Sequence, residues 1–215
     1  MEGILSDIVS DSGDNFTFER ALRARGFVCV AGCDEAGRGP LAGPVVASCV
    51  ILPPDCDHSL FLDSKKISHK HRLRLYGTLK DINATIGIGI VSVETIDTIN
   101  ILQASLLAMK RAVADSNSGS GQPDFILVDG IFKIPLSVPQ ITLTKGESKS
   151  ASIAAASIVA KVERDALMDA LDLQYPLYNF RRHKGYPTKE HRRTIAQHGP
   201  CPSHRKTFKG VKEFV

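Results

Sequence analysis

Four acidic residues sit where a strand would end or a turn would begin. They are the adjacent pair Asp34 and Glu35, Asp129 before Gly130, and Glu147 in Lys145-Gly146-Glu147. Each follows an apolar run: Phe27 to Ala31 before the pair, Phe125 to Val128 before Asp129, and Gln140 to Thr144 before Glu147. Carboxylates beside buried strands are costly unless something cationic meets them. Mg²⁺ or Mn²⁺ suits such a set, because Mg²⁺ is commonly held by one or two carboxylates plus phosphate oxygens. If the strands run parallel, their ends gather at one sheet edge. Two ions ~3.5–4 Å apart there would stabilise the attacking and leaving oxygens of an in-line phosphoryl displacement. An Asp before Gly is by itself commonly a turn residue, so the series carries the reading and no single member does. Neighbouring side chains on a strand face opposite ways. Glu35 is therefore expected to join Asp34 only if the chain has left strand geometry by then, which Ala36 and Gly37 permit.

Gly37, Arg38 and Gly39 form a turn with little side-chain obstruction. A backbone that approaches so closely can donate to a phosphate or bond a 2′-hydroxyl, the group that separates RNA from DNA. The spacing to Ala42 also fits a dinucleotide fingerprint, but that motif must open a helix, and Pro40, Pro44 and a β-branched run follow instead. Tyr186, in Lys184-Gly185-Tyr186, is an exposable flat face among basic neighbours and suits stacking on a nucleotide. Lys65 and Lys66 follow Ser64 near a helix start, as either a solvated pair or a phosphate contact, with Lys145 and Lys161 as weaker candidates. Asp165 lies roughly 22 Å along a straight helix from Ser150 and is read as a surface or capping acid, which leaves Glu147 as the better-placed fourth acid. His198, Cys201 and His204 have a zinc-like spacing without a second cysteine pair. His191 and His198 are expected to be exposed.

The elements that must position these residues follow from periodicity. Phe16 to Arg25 reads as a short helix, Phe27 to Cys33 as a central strand, and Val45 to Leu52 as a second strand. Ser68 caps a helix reaching Asp81. Thr85 to Val93 alternates as a third strand, and Glu94 to Ala114 forms one or two helices. Two short strands, Phe125 to Val128 and Gln140 to Thr144, precede a long helix from Ser150 to Leu173, whose Ala154-Ala155-Ala156-Ser157 segment is small enough to lie close against a sheet. Thr188 to Gln197 is a tail helix. This order predicts a mixed sheet covered by helices. The domain plan is a lead-in (1–26), a catalytic body (27–175) and a basic substrate-binding tail (176–215).

The chain has 215 residues, 43% of them hydrophobic, as in ordinary globular proteins. The net charge of +4 hides an asymmetry, with +8 in residues 181–215 and −4 in the rest. A basic tail carrying Tyr178, Phe180 and Tyr186 points to a polyanion partner. No apolar run approaches the ~20 residues of a membrane helix, and the acidic start does not read as a secretory signal. Five cysteines without a Cys-x-x-Cys pair suggest reduced thiols and a cytoplasmic location, and the chain is expected to be a monomer.

Residues 33 to 52, CDEAGRGPLAGPVVASCVIL, resemble the signature of ribonuclease HII. The resemblance continues through Asp63-Ser64-Lys65-Lys66, Val128-Asp129-Gly130, Lys145-Gly146-Glu147-Ser148, Ser152 to Asp165 and Lys184-Gly185-Tyr186-Pro187, covering about 27 to 210. It implies a ribonuclease H-like fold, with a five-stranded mixed sheet and a small helical C-terminal part. It also implies an endoribonuclease that cuts the RNA strand of RNA–DNA hybrids and incises 5′ of ribonucleotides embedded in duplex DNA. By resemblance, Asp34, Glu35 and Asp129 are catalytic metal-binding carboxylates. The family's fourth acid is an Asp in Lys-Gly-Asp, and here Glu147 stands in that place. Gly37, Arg38 and Gly39 would recognise the ribonucleotide, Tyr186 would stack on the neighbouring sugar, and Lys65 and Lys66 would contact phosphate. The alternatives are a ribonuclease HIII-type nuclease, which carries a long N-terminal domain and lacks the Gly-Arg-Gly turn, and a non-catalytic DNA-binding protein, which would not need the acids.

Overall fold

The computed structural model describes residues 14–61, 67–116 and 121–215. Five strands, β1 (Val30–Ala36), β2 (Val45–Ile51), β3 (Thr85–Val91), β4 (Phe125–Asp129) and β5 (Gln140–Leu143), form one sheet in the order β3-β2-β1-β4-β5. β1 runs antiparallel to β2 and β2 to β3, while β4 runs parallel to β1 and β5 parallel to β4. The helices are α1 (Thr17–Arg23), α2 (His69–Asp81), α3 (Val93–Ser116), α4 (Ala151–Gln174), α5 (Phe180–His183) and α6 (Lys189–His198). The mixed, helix-flanked sheet is the architecture that the order of elements predicts.

Alternation along the strands divides the core. Ala31 and Cys33 of β1 and Val45, Ala47 and Cys49 of β2 pack with α3. Val50 packs with α4 and α2, and Ser48 on the same face donates through Oγ to the carbonyl of Ala156 at 2.7 Å. The small residues of α4 let it lie directly on β1. A Cβ at Gly32 would stand 2.1 Å from the Ser152 carbonyl carbon, so only glycine fits there. Ser150 caps α4 by accepting the Ile153 N–H at 3.1 Å. Buried Glu19 of α1 accepts from the Ser150 hydroxyl (2.6 Å) and the Ser152 N–H (3.0 Å). Negative charge at a helix N-terminus is favourable, and it ties α1 to the element that carries much of the candidate site. The Glu94–Ala114 region is two helical pieces joined at Asn100 (φ 67°), whose side chain accepts from the N–H groups of Leu102 and Gln103.

Four sequence expectations need correction. β1 does not end at Asp34 but keeps its pairing to Ala36, opposite Val46. Tyr178 and Phe180 are not displayed among the tail's charges; they are buried with Leu41, Ala42, Met168, Ile195 and Val211, joining tail to body. His191 is fully buried, because α6 turns His191 and Ile195 inward at helical spacing, although His198 is exposed as expected. Asp165 is no surface acid: it is 3% exposed, and its carboxylate meets Lys161 (3.1 Å), His69 (3.6 Å) and Arg72 (4.0 Å).

Candidate active site

Parallel pairing of β1, β4 and β5 brings their C-terminal ends to one edge, as the strand reading required. A cavity of about 300 Å³ opens there. Asp34, Glu35 and Asp129 line it together with the turn Gly37, Arg38 and Gly39 and with Tyr186. Arg72, Ser157 and Lys161 complete the wall. Two of these, Arg72 and Ser157, escape a reading by motif. Ser157 looks like one more small residue of a packing segment, and Arg72 like one of several cations on an exposed helix.

Asp34 lies on the face of β1 that meets α4, as Gly32 does, and is 6% exposed. Burial raises its pKa well above the ordinary Asp value, the charges of Glu35 and Asp129 raise it further, and the hydroxyl of Ser157 and the N–H of Glu35 oppose the shift. Glu35 is also shifted upward, by burial first, against the pull of Arg38; the Arg38 guanidinium is 3.2 Å from its carboxylate. Strand alternation persists at Glu35, contrary to the expectation that sharing the site needs an early exit from the strand. The last β1 residue paired with β4 is Cys33, opposite Val128. Beyond it β1 is paired only with β2, and the side that β4 occupied is left open to the longer Glu35 side chain.

Asp129 accepts the Gly146 N–H at 2.6 Å. A Cβ at Gly146 would stand 2.7 Å from Ile153 Cδ1 and 3.0 Å from the Asp129 carboxylate, so glycine lets the β5 loop close on β4. Glu147 follows, 6% exposed, and accepts from the Ser157 hydroxyl at 3.1 Å. Ser157 thus links Glu147 to Asp34, and Glu147 sits behind it, not on the cavity wall. Lys65 and Lys66 lie outside the described residues, and Lys145 is exposed away from the cavity lining.

Tyr186 is 42% exposed, and its ring lies 3.7 Å from the position of a Cβ at Gly39. Turn and ring therefore adjoin. A buried chain of hydrogen bonds holds the Tyr186 backbone from behind: His191 Nδ1 is 3.0 Å from the Tyr186 carbonyl, and His191 Nε2 is 3.0 Å from His204 Nε2. A carbonyl only accepts, so His191 carries its proton on Nδ1 and His204 donates from Nε2. His204 Nδ1 then accepts the Cys201 N–H at 3.0 Å. Burial pushes both imidazoles down to about 4, so both are neutral near pH 7. The zinc-like spacing is absorbed by this chain, and exposed His198 is not one of its links.

Oxygen-only donors, crowded enough that Asp129 adds to the upward shifts of Asp34 and Glu35, are the chemistry that a hard divalent cation answers. Among the described residues no three His, Cys, Asp or Glu already surround one point closely enough to hold an ion. Glu35, Asp129 and Glu147 instead engage Arg38, the Gly146 N–H and Ser157. The donor types fit a metal, and their present partners are protein groups.

The mixed sheet with acids at the ends of adjacent parallel strands places this chain among the ribonuclease H-like α/β proteins. The family description "Ribonuclease HII" matches residues 31–211, and the chain belongs to that family. It is 60% identical to the ribonuclease HII of Desulfotalea psychrophila over 94% of this chain and 90% of that one. Ribonuclease H2 from Pyrococcus horikoshii superposes with a TM-score of 0.69 at 27% identity, covering 87% of this chain and 97% of that one. The ribonuclease HII of Archaeoglobus fulgidus, solved in complex with PCNA, gives 0.70 at 25% identity, covering 85% and 96%. The chain is accordingly an endoribonuclease of the ribonuclease H type, in a family that depends on divalent metal.

Proposed function

We propose that this enzyme cuts the RNA strand of RNA–DNA hybrids and incises 5′ of ribonucleotides embedded in duplex DNA, leaving 3′-hydroxyl and 5′-phosphate ends. The observation that carries the reading is the sharing of one cavity by Asp34, Glu35 and Asp129, the Gly37–Gly39 turn and Tyr186. The acids would hold Mg²⁺ or Mn²⁺, with Glu147 reaching them through Ser157. A bound divalent ion would stabilise charge on the attacking and leaving oxygens of the phosphodiester. The turn offers backbone groups to the ribose hydroxyl, and the Tyr186 ring beside it stacks on the adjoining sugar. Arg72 and Lys161, braced by buried Asp165, line the same cavity and would meet the phosphate. Lys65 and Lys66 would contact phosphate, as the resemblance implies.

In this plan residues 27–175 carry the chemistry, 176–215 form the substrate-binding region, and 1–26 lead in. The five free thiols suit a reducing cytoplasm. The test is a duplex carrying one ribonucleotide, incubated with and without Mg²⁺. Incision on the 5′ side of the ribonucleotide, only with the ion, is expected. Cleavage of an all-DNA duplex at an equal rate would overturn the reading.

A further inference from the structure

Two arginines are fully buried, and their hydrogen bonds run to main-chain oxygens, with one more from Arg164 to Met168 Sδ, and to no carboxylate among the described residues. Arg205 donates to the carbonyls of Gly37 (2.6 Å), Arg38 (3.1 Å), Gly43 (2.9 and 3.0 Å) and Pro44 (3.3 Å). Its guanidinium carbon lies 5.0 Å from the centre of the Phe208 ring. Arg164 of α4 donates to Pro44, Lys184 and Ala42. Burial lowers Arg205 to about 9 and Arg164 to about 10, so both keep their charge at neutral pH. Buried charges without ionic partners cost stability; what these two supply is a fixed orientation for several peptide units at once.

All described peptide bonds are trans. In a planar trans peptide the carbonyl of one residue and the N–H of the next point in opposite directions. The carbonyls of Gly37 and Arg38 aim at Arg205, so the N–H groups of Arg38 and Gly39 aim away from it. Gly37, Arg38 and Gly39 line the cavity and Arg205 does not. Those two N–H groups therefore face the side from which substrate arrives. The cation behind them also polarises the same peptide units and strengthens them as donors. At Gly37 (φ 100°) a Cβ would stand 2.1 Å from Arg164 Nε, so the second guanidinium packs directly against the turn.

We propose that Arg205 is a positioning residue for ribonucleotide reading: it fixes the 37–39 turn so that the Arg38 and Gly39 N–H groups are presented to the sugar and its phosphate. This rests on the reading of that turn given under the proposed function. Arg205 itself touches no substrate. Its segment is seated by Asp97, whose carboxylate accepts the N–H groups of Lys206 (2.9 Å) and Thr207 (3.0 Å) and the Thr207 hydroxyl (2.6 Å).

The experiment uses the full chain carrying Asp34→Asn, so that duplexes survive. Fluorescence anisotropy in Mg²⁺ compares two duplexes that differ only in one ribonucleotide. The parent should bind the ribonucleotide duplex more tightly. Arg205→Lys keeps the charge but cannot span four carbonyls, and should lose about tenfold of that preference while all-DNA affinity stays within about twofold. A merely structural role would weaken both duplexes alike, and that result, or an unchanged preference in folded Arg205→Lys, overturns the proposal. If the parent shows no preference, the reading of the turn itself fails and the proposal falls with it. If Arg205→Lys does not fold by circular dichroism, Asp97→Ala replaces it, loosening the segment from the exposed side. A partial loss of preference is then expected, and full retention overturns the inference.

Discussion

Asp34 is buried next to two other acids, and both circumstances raise its affinity for a proton. A protonated carboxyl holds a cation poorly, so activity should fall as pH drops through a value above the ordinary Asp range. Metal and proton compete for the same oxygens, and a tenfold rise in Mg²⁺ should move this acid limb of kcat/KM downward by up to about one pH unit. A limb indifferent to Mg²⁺ would show that some other group sets it. Asp34→Asn should lower kcat by about three orders of magnitude while leaving hybrid binding largely intact; turnover near the parent rate would remove Asp34 from the chemistry. Glu147 is one methylene longer than an Asp and reaches Asp34 through Ser157. Glu147→Asp should retain or raise activity and Glu147→Ala should lose about tenfold or more, whereas insensitivity to both would place Glu147 outside the site. The four acids and the Gly-Arg-Gly turn were legible as residues because charge beside apolar runs is unusual. Ser157 and Arg72 were not, since a serine among alanines and an arginine on a helix carry no mark of what stands opposite them.

The contact between α4 and β1 decides whether Ser157 and Lys161 reach the cavity at all. At Gly32 the neighbours are the backbone atoms of Ser152 and Ile153, which cannot rotate out of the way. Gly32→Ala should therefore push α4 off the sheet, cost about 3 kcal/mol in urea unfolding, and depress activity even where the protein remains folded. Wild-type stability in that variant would mean the helix seats more loosely than the close approach implies. At this scale most of the fold could be read in advance. Ser68 caps its helix as its position suggests, and Ser150 and Thr188, at the expected starts of two further helices, cap theirs as well. The exit from β1 could not be read, because pairing with β2 continues to Ala36 after pairing with β4 has stopped. Periodicity along one strand does not report which neighbour ends first. The inward turn of Tyr178 and Phe180 was hidden for a related reason: their apolar partners Leu41 and Ala42 come from far upstream.

Over the whole molecule, the tail's excess charge is partly spent within the protein. Arg181 meets Asp169 and Asp172, Arg182 meets Glu190, and Lys184 meets Asp169. Exposed Arg192 and Arg193 of α6 enter none of the ion pairs among the described residues and remain for phosphate. Replacing both by alanine should weaken hybrid and all-DNA duplex by similar factors and make the log–log salt slope less negative by about 1–2. A loss confined to the ribonucleotide substrate would instead place these arginines in recognition. The sequence by itself determined the sheet, the order of its helices and the identity of the acids, because alternation, caps and charge beside apolar runs are local properties. The tertiary structure alone decided that Asp165 is buried, that Ser157 links Asp34 to Glu147, and that Arg205 grips a turn well over a hundred residues upstream. Those are contacts between distant segments, and their energy depends on which faces meet after the chain has packed.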